Sequence, residues 1–285
     1  MTIEQTVTVD TDPRAGRDWL GLRDRVAVVT GAGSGIGAAI AMEFAACGAH
    51  VVALDVHVAG AVEVADRAAG LGVETLGVGA DITDPDAVNA AAQQALERFG
   101  RIDVLVNNAG IMLPGELAAI DLADWQRVFD VNVTGYLLCA RAFGADMRAR
   151  GSGSIVHIAS ISASNPQSSS GAYSPSKAAV SMLSQTLAVE WGPAGVRSNV
   201  LSPGMTRTPL TESFYTQPGV TERRSAVVPI GRVGTPQDLA NAAMWLAGDR
   251  AGYVTGQDIQ VDGGFCRTLM NHVPRPGYEA APTAD

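Results

Sequence analysis

Cysteine is scarce in this chain, with three in 285 residues, and Cys47, Cys139 and Cys266 lie too far apart to resemble a disulfide framework or paired zinc ligands. They read as small hydrophobes. The four histidines, His50, His57, His157 and His272, are equally scattered, so no catalytic metal is expected. Positive charge is also short. Lys and Arg total 20 against 29 Asp and Glu, a net charge of -9, and aromatics make up only 5% of residues. No Lys/Arg stripe with interleaved aromatics exists, which argues against nucleic acid and anionic membrane as partners. No apolar run reaches the roughly 18–20 residues that cross a bilayer, and the polar stretch from Met1 to Arg17 lacks the apolar centre of a secretory signal. A soluble, cytoplasmic protein acting on a small molecule is expected.

Apolar residues, by contrast, are plentiful at 47%, enough for a sizeable core. From Arg25 onward, short β-branched runs alternate with Ala-rich amphipathic stretches, the pattern of a parallel sheet covered by crossover helices. Strands are expected near 25–30, 50–55, 74–79, 102–106, 154–159, 196–201 and 257–261. Helices are expected near 36–47, 60–69, 86–99, 122–149, 172–191 and 236–247, several with Asp, Ser or Thr caps. The implied fold class is α/β, a doubly wound, seven-stranded parallel sheet with helices on both faces in a single domain. Residues 1–20 are polar and aperiodic and are expected to be a flexible extension. The domain then spans 21–265, and 266–285 forms a C-terminal tail. Residues 205–230 are too long for an ordinary connector and are expected to form a substrate lid.

Two constellations carry chemistry. The first is Tyr173-Ser174-Pro175-Ser176-Lys177. On a helix, residues four apart share a face, so the Lys177 ammonium is expected to sit near the Tyr173 phenol and favour its ionised form. A phenol titrates near about 10, so work as a base near neutrality asks for a fall of roughly 2–3 units, or about 3–4 kcal/mol of preferential stabilisation. Ser160 ends the strand-like run Ser154–Ser160, thirteen residues before Tyr173; Ser162 lies close by, and the spacing favours Ser160. The second is the run Arg25–Thr30 followed by Gly31-Ala32-Gly33-Ser34-Gly35-Ile36-Gly37 and an Ala-rich stretch. Strand, glycine turn and helix in that order let a pyrophosphate approach backbone N–H groups at a positive helix terminus. Asp55 closes the next strand, eighteen residues beyond Gly37, in the place of a ribose-binding carboxylate.

With Asp81, Asn107-Asn108-Ala109-Gly110, Asn132, Pro203-Gly204 and Val261-Asp262-Gly263-Gly264 added in order, residues 22–265 resemble the short-chain dehydrogenase/reductase family, in its compact single-domain branch. The resemblance implies a Rossmann-type fold, a nicotinamide dinucleotide and a catalytic set of Asn132, Ser160, Tyr173 and Lys177. It implies cofactor contacts at Gly31, Gly33, Ser34, Gly35, Ile36, Gly37, Asp55, Val56, Asp81, Ile82, Asn108, Ala109, Gly110, Tyr173, Lys177, Pro203, Gly204, Thr206 and Thr208. Asn107 to Gly110 would line the adenosine side of the cleft, and Asn132 would bend its helix and hold a water leading to Lys177. Asp81 could equally be a loop cap, and Asn132 a partner for a neighbouring carbonyl.

The Asp55 carboxylate would accept from both adenosine ribose hydroxyls and repel a 2′-phosphate, so NAD is expected over NADP. Ser34, where NADP-using relatives often carry a basic residue, and Val56 agree. A substrate pocket would draw on Ser162, Gln167, Met205, Leu210 and Phe214, with Arg207, Arg223 and Arg224 in the lid as solvated side chains or as contacts for an acidic substrate. The expected reaction interconverts a small, polyol or cyclic secondary alcohol and its ketone. Reduction of a 3-oxoacyl thioester on acyl carrier protein is the alternative, disfavoured by Val189 where those enzymes often carry arginine. A non-catalytic NAD sensor or scaffold is the second alternative. The resemblance implies a homotetramer, or else a homodimer, for which the Ala/Leu-rich segments 122–149 and 172–191 could supply faces.

Overall fold

The computed structural model describes residues 18–274. Seven strands form one sheet: β1 (Val26–Thr30), β2 (His50–Asp55), β3 (Thr75–Gly79), β4 (Val104–Asn107), β5 (Gly153–Ile158), β6 (Val196–Pro203) and β7 (Asp258–Val261). The order is β3-β2-β1-β4-β5-β6-β7 and every pairing is parallel. Val28 faces Val52 on one side and Leu105 on the other. Because helices cover both faces, β1 is buried at all five positions and reads as an unbroken apolar run instead of an alternating one.

The crossover helices divide between the faces. On one side α1 (Gly35–Ala46), α2 (Val58–Ala69) and α8 (Pro236–Ala247) pack Ile40, Phe44, Val64, Leu239 and Met244 onto the sheet. On the other, α3 (Pro85–Phe99), α5 (Gly135–Arg150) and α6 (Tyr173–Trp191) contribute Val88, Ala91, Phe143, Met147, Val180 and Leu187. Phe44 and Phe143 are wholly buried; truncating either to Ala would cost about 3–5 kcal/mol. Helix ends follow local chemistry. Asp84 accepts from Asp86 N at 2.9 Å and Ala87 N at 3.3 Å, Pro85 opens α3, and left-handed Gly100 closes it. Thr235 and Asp238 form a capping box on α8. Ser34, at the start of α1, makes no side-chain cap bond.

Three features depart from the sequence reading. The helix expected over 122–149 is interrupted: α4 (Leu122–Phe129) passes into a π-helical turn, Asp130–Thr134, before α5 begins. The long connector contains a 3-10 turn at Glu212–Tyr215 and a short helix, α7 (Val220–Ala226). Residues 18–20 of the expected extension are tied to the body, since Leu20 O accepts from Asp249 N at 2.9 Å and Trp19 O from Arg250 Nε at 3.0 Å. Residues 1–17 and 275–285 lie outside the described region, which covers the tail only through Pro274. Among the described residues no helix is long and apolar enough to cross a membrane.

Candidate active site

A cleft of about 790 Å³ opens along the C-terminal edge of the sheet, where the strand order reverses between β1 and β4. The turn between β1 and α1 forms its floor. Gly31 has φ +62°, and a Cβ there would meet Ala109 Cα at 2.7 Å; Gly35 is also left-handed, at φ +56°. A Cβ on Gly37 would overlap the Gly31 carbonyl oxygen and approach Asn108 Nδ2 to 2.5 Å. Asn108 locks the turn by donating from Nδ2 to Thr30 O at 3.0 Å and Gly31 O at 3.1 Å. The Thr30 hydroxyl in turn accepts from the backbone N–H of Asn108 and of Ala109. The result is a smooth backbone cradle below a helix N-terminus, a shape and polarity that fit a dinucleotide pyrophosphate.

Of the residues expected at the cofactor, Gly31, Ser34, Gly35, Ile36, Asp55, Val56, Asp81, Ile82, Asn108, Ala109, Gly110, Tyr173, Lys177, Pro203, Gly204, Thr206 and Thr208 line this cleft. Gly33, Gly37, Asn107 and Asn132 do not border it. Gly33 N donates to Asp55 Oδ2 at 2.9 Å, and His57 N to Oδ1 at 2.9 Å, so the turn itself aims the carboxylate. Asn107 is buried, with Nδ2 donating to Tyr136 O and lying 3.3 Å from His157 Nδ1. Asp81 closes a small turn, accepting from Thr83 N and Oγ1, while still bordering the cleft. At the outer end, Ser162, Gln167, Met205, Leu210 and Phe214 line the same space, as expected. The sequence reading missed Arg127 and Asp130, which also border it from one helix face; their i, i+3 spacing was the available signal.

At the centre Ser160, 8% exposed and two residues beyond β5, and Tyr173, the first residue of α6, both border the cleft. Lys177 is 3% exposed, and its ammonium donates to Ile158 O at 2.8 Å. It lies 5.7 Å from the Tyr173 ring centre and 5.4 Å from that of Tyr136, whose hydroxyl donates to the same Ile158 carbonyl at 3.2 Å. Asn132, buried in the π-turn, accepts from Ile111 N at 2.9 Å and donates to Ile111 O and to Ser176 Oγ, each at 3.0 Å. A neighbouring carbonyl is therefore among its partners.

The electrostatics differ from the sequence expectation. Burial pushes the Tyr173 phenol above its ordinary value, and the hydrogen bond with Ser160 pulls it down. Burial also pushes the Lys177 ammonium down to about 7, so near neutrality it is present in both its charged and its neutral form. Burial, helped by Lys177, also pushes His157 down to about 3. Among the described residues no group of three or more His, Cys, Asp or Glu side chains converges on a metal position.

A family model described as enoyl-(acyl carrier protein) reductase matches residues 31–266. The chain is a short-chain dehydrogenase/reductase. It is an oxidoreductase of CH–OH groups with a nicotinamide-binding Rossmann-type domain. It is 42% identical over 243 residues to a cis-4-hydroxycyclohexanecarboxylate dehydrogenase of Sinomonas cyclohexanicum, covering 85% of this chain and 96% of that one. Among solved structures it is similar to a 7α-hydroxysteroid dehydrogenase complexed with NADH and 7-oxo glycochenodeoxycholic acid. That match has a TM-score of 0.83 and 35% identity, and covers 87% of this chain and 96% of the other. A gluconate 5-dehydrogenase from Burkholderia cenocepacia J2315, in complex with NADP and tartrate, aligns with a TM-score of 0.85 and 32% identity over 89% of this chain and 100% of that one.

Proposed function

We propose that this short-chain dehydrogenase/reductase oxidises a small, polyol or cyclic secondary alcohol to its ketone with NAD, and runs the reverse reduction by the same path. The supporting observation is the convergence of Ser160, Tyr173 and Lys177 on one wall of a cleft whose far end carries the Asp55 carboxylate. When bound, the nicotinamide supplies the hydride acceptor. The chain's own groups do the rest. Ser160 hydrogen-bonds the carbinol oxygen and holds it at the Tyr173 phenol. Tyr173 takes the hydroxyl proton as the carbinol carbon gives up its hydride, so alcohol and oxidised cofactor become ketone, reduced cofactor and one proton. Lys177, in its charged form, favours the phenolate through the field across the 5.7 Å to the ring. Asn132 braces the Ile111 backbone and Ser176 behind this group.

The carboxylate at the end of β2 supports NAD over NADP. The relatives' substrates, a hydroxycyclohexane acid and a steroid alcohol, support a cyclic or otherwise secondary carbinol. The test is a panel of secondary alcohols and ketones, including a 3-oxoacyl thioester, followed at the reduced-nicotinamide absorbance band. Tyr173→Phe should lower kcat on the best alcohol by about 10²–10⁴-fold while NADH still binds. Turnover of the thioester alone would favour acyl reduction. Cofactor binding without turnover anywhere in the panel would leave the sensor reading standing, and an unimpaired Tyr173→Phe would overturn the mechanism.

A further inference from the structure

The lid carries three arginines, and their surroundings separate them. Arg207 also lies over the Tyr215 ring, at 5.4 Å, but is paired with Glu212, Nε to Oε2 at 2.9 Å and Nη2 to Oε1 at 2.5 Å. Arg223 is exposed and folds back over Gly219. Arg224, on α7, is different. It is partly buried and borders the cleft, with its guanidinium carbon 5.2 Å from the Phe214 ring centre and 4.8 Å from that of Tyr215. Phe214 borders the same cleft, and Tyr215 is buried beneath.

Among the described residues Arg224 has no carboxylate within ion-pair distance. Stacking between two aromatic faces orients a guanidinium without using any of its five N–H donors. The planar fork is thus held ready for a bidentate oxyanion at little ordering cost. The sign of its surroundings agrees. The carboxylates that border the cleft are Asp55 and Asp81, near the ends of β2 and β3, and Asp130, which follows Arg127 by three residues and accepts from Gln126 Nε2 at 2.8 Å, whereas Ser162, Gln167 and Ser170 are neutral hydrogen-bonding groups. The lid's own carboxylates, Glu212 and Glu222, do not border the cleft, so from the lid an entering anion meets the Arg224 cation alone.

We propose that Arg224 is the specificity-determining residue of this site and that the substrate is a hydroxy acid: a secondary alcohol whose carboxylate pairs with the Arg224 guanidinium while its carbinol oxygen lies at Ser160 and Tyr173. The assignment rests on the alcohol-dehydrogenase reading above, and its test is arranged so that the two fail separately. Initial rates are compared for 3- and 4-hydroxycyclohexanecarboxylate and for the matching carboxamides, which keep size and lose charge, with the native enzyme and with Arg224→Met and Arg224→Lys. In parallel, cyclohexanecarboxylate, which bears no carbinol, is titrated calorimetrically into the enzyme–NADH complex, and NADH is titrated alone.

The native enzyme is expected to favour acid over amide by about 10- to 100-fold in kcat/KM, the difference lying mostly in KM. Arg224→Met should bring that ratio within about threefold of unity and abolish the cyclohexanecarboxylate isotherm, and Arg224→Lys should restore part of both. Equal use of acid and amide by the native enzyme would overturn the proposal. So would a ratio that survives Arg224→Met, or an Arg224→Met variant that weakens NADH and slows acid and amide alike, which would put the guanidinium on the cofactor. If no alcohol in the wider panel turns over, the alcohol-dehydrogenase reading falls, and the calorimetric comparison still decides whether Arg224 holds a carboxylate.

Discussion

Replacing Asp55 with Asn should convert a preference for NAD into near-indifference or a preference for NADP. The carboxylate at the end of β2 is aimed by two backbone donors, Gly33 N and His57 N, each at 2.9 Å, and it borders the cleft. A 2′-phosphate beside it would bring like charges to about 4 Å. At that distance each unit of phosphate charge costs about 1 kcal/mol at an effective dielectric near 80 and about 4 kcal/mol near 20. That range corresponds to roughly a 5- to 1,000-fold discrimination. Asp55→Asn removes the charge and keeps the shape, but its amide can accept from only one of the two N–H groups, so about 1 kcal/mol of turn stability should go with it. The assay is kcat/KM for NAD and for NADP, at saturating alcohol, in both enzymes. The ratio of NADP to NAD should rise at least fivefold in the variant. A native enzyme that prefers NADP, or a variant whose ratio stays within twofold of native, would refute the reasoning.

Other outcomes are equally open to measurement. Gly37→Ala should raise the dissociation constant for NADH by at least about tenfold, read by fluorescence titration, because its methyl group would collide with the Gly31 carbonyl that shapes the cradle; unchanged affinity would contradict that role. His157 should make the fold acid-sensitive. Its pKa is about 3 in the folded chain against an ordinary value of 6.5, so between those limits the unfolded chain binds more protons. The His157 contribution should be complete above pH 6.5 and fall by about 1.4 kcal/mol for each pH unit below it, down to about pH 3. Urea unfolding of the native protein and of His157→Asn from pH 7 to 4.5 should give a slope in the native protein that is absent in the variant; parallel curves would exclude it.

How much of this was visible in the residues alone depends on how tightly each feature is constrained. The glycine turn and Asp55 were legible because Gly31 and Gly35 must take a left-handed backbone and because the carboxylate must close β2. The strands were legible because both faces are covered and the runs are therefore apolar throughout. The break at Asp130–Thr134 was legible only through the family resemblance, which put a bend at Asn132, since the apolar periodicity of 122–149 runs on through it. Helix α7 was hidden too, because Val220–Ala226 is short, and every one of its residues remains at least partly exposed. The four-residue spacing of Tyr173 and Lys177 placed the two side chains together, with the ammonium 5.7 Å from the ring centre. Spacing does not reveal that the Lys177 ammonium points at the Ile158 carbonyl in a site dry enough to lower its own proton affinity. Nor does composition reveal which lid arginine has found a glutamate.

The π-turn between α4 and α5 places its information in residue count. A helix widened by one residue per turn rotates everything beyond it by roughly 100° relative to an uninterrupted α-helix. Asn132 reaches Ile111 and Ser176 because of that widening, and Tyr136 reaches Ile158 from just beyond it. Point substitutions leave the count untouched, whatever side chains they exchange. Loss of a single codon between Asp130 and Thr134 would restore an ordinary helix and swing one of the two faces away from its partners. Evolution can therefore tune the residues around this centre one by one, but it can shed the geometry in a single deletion.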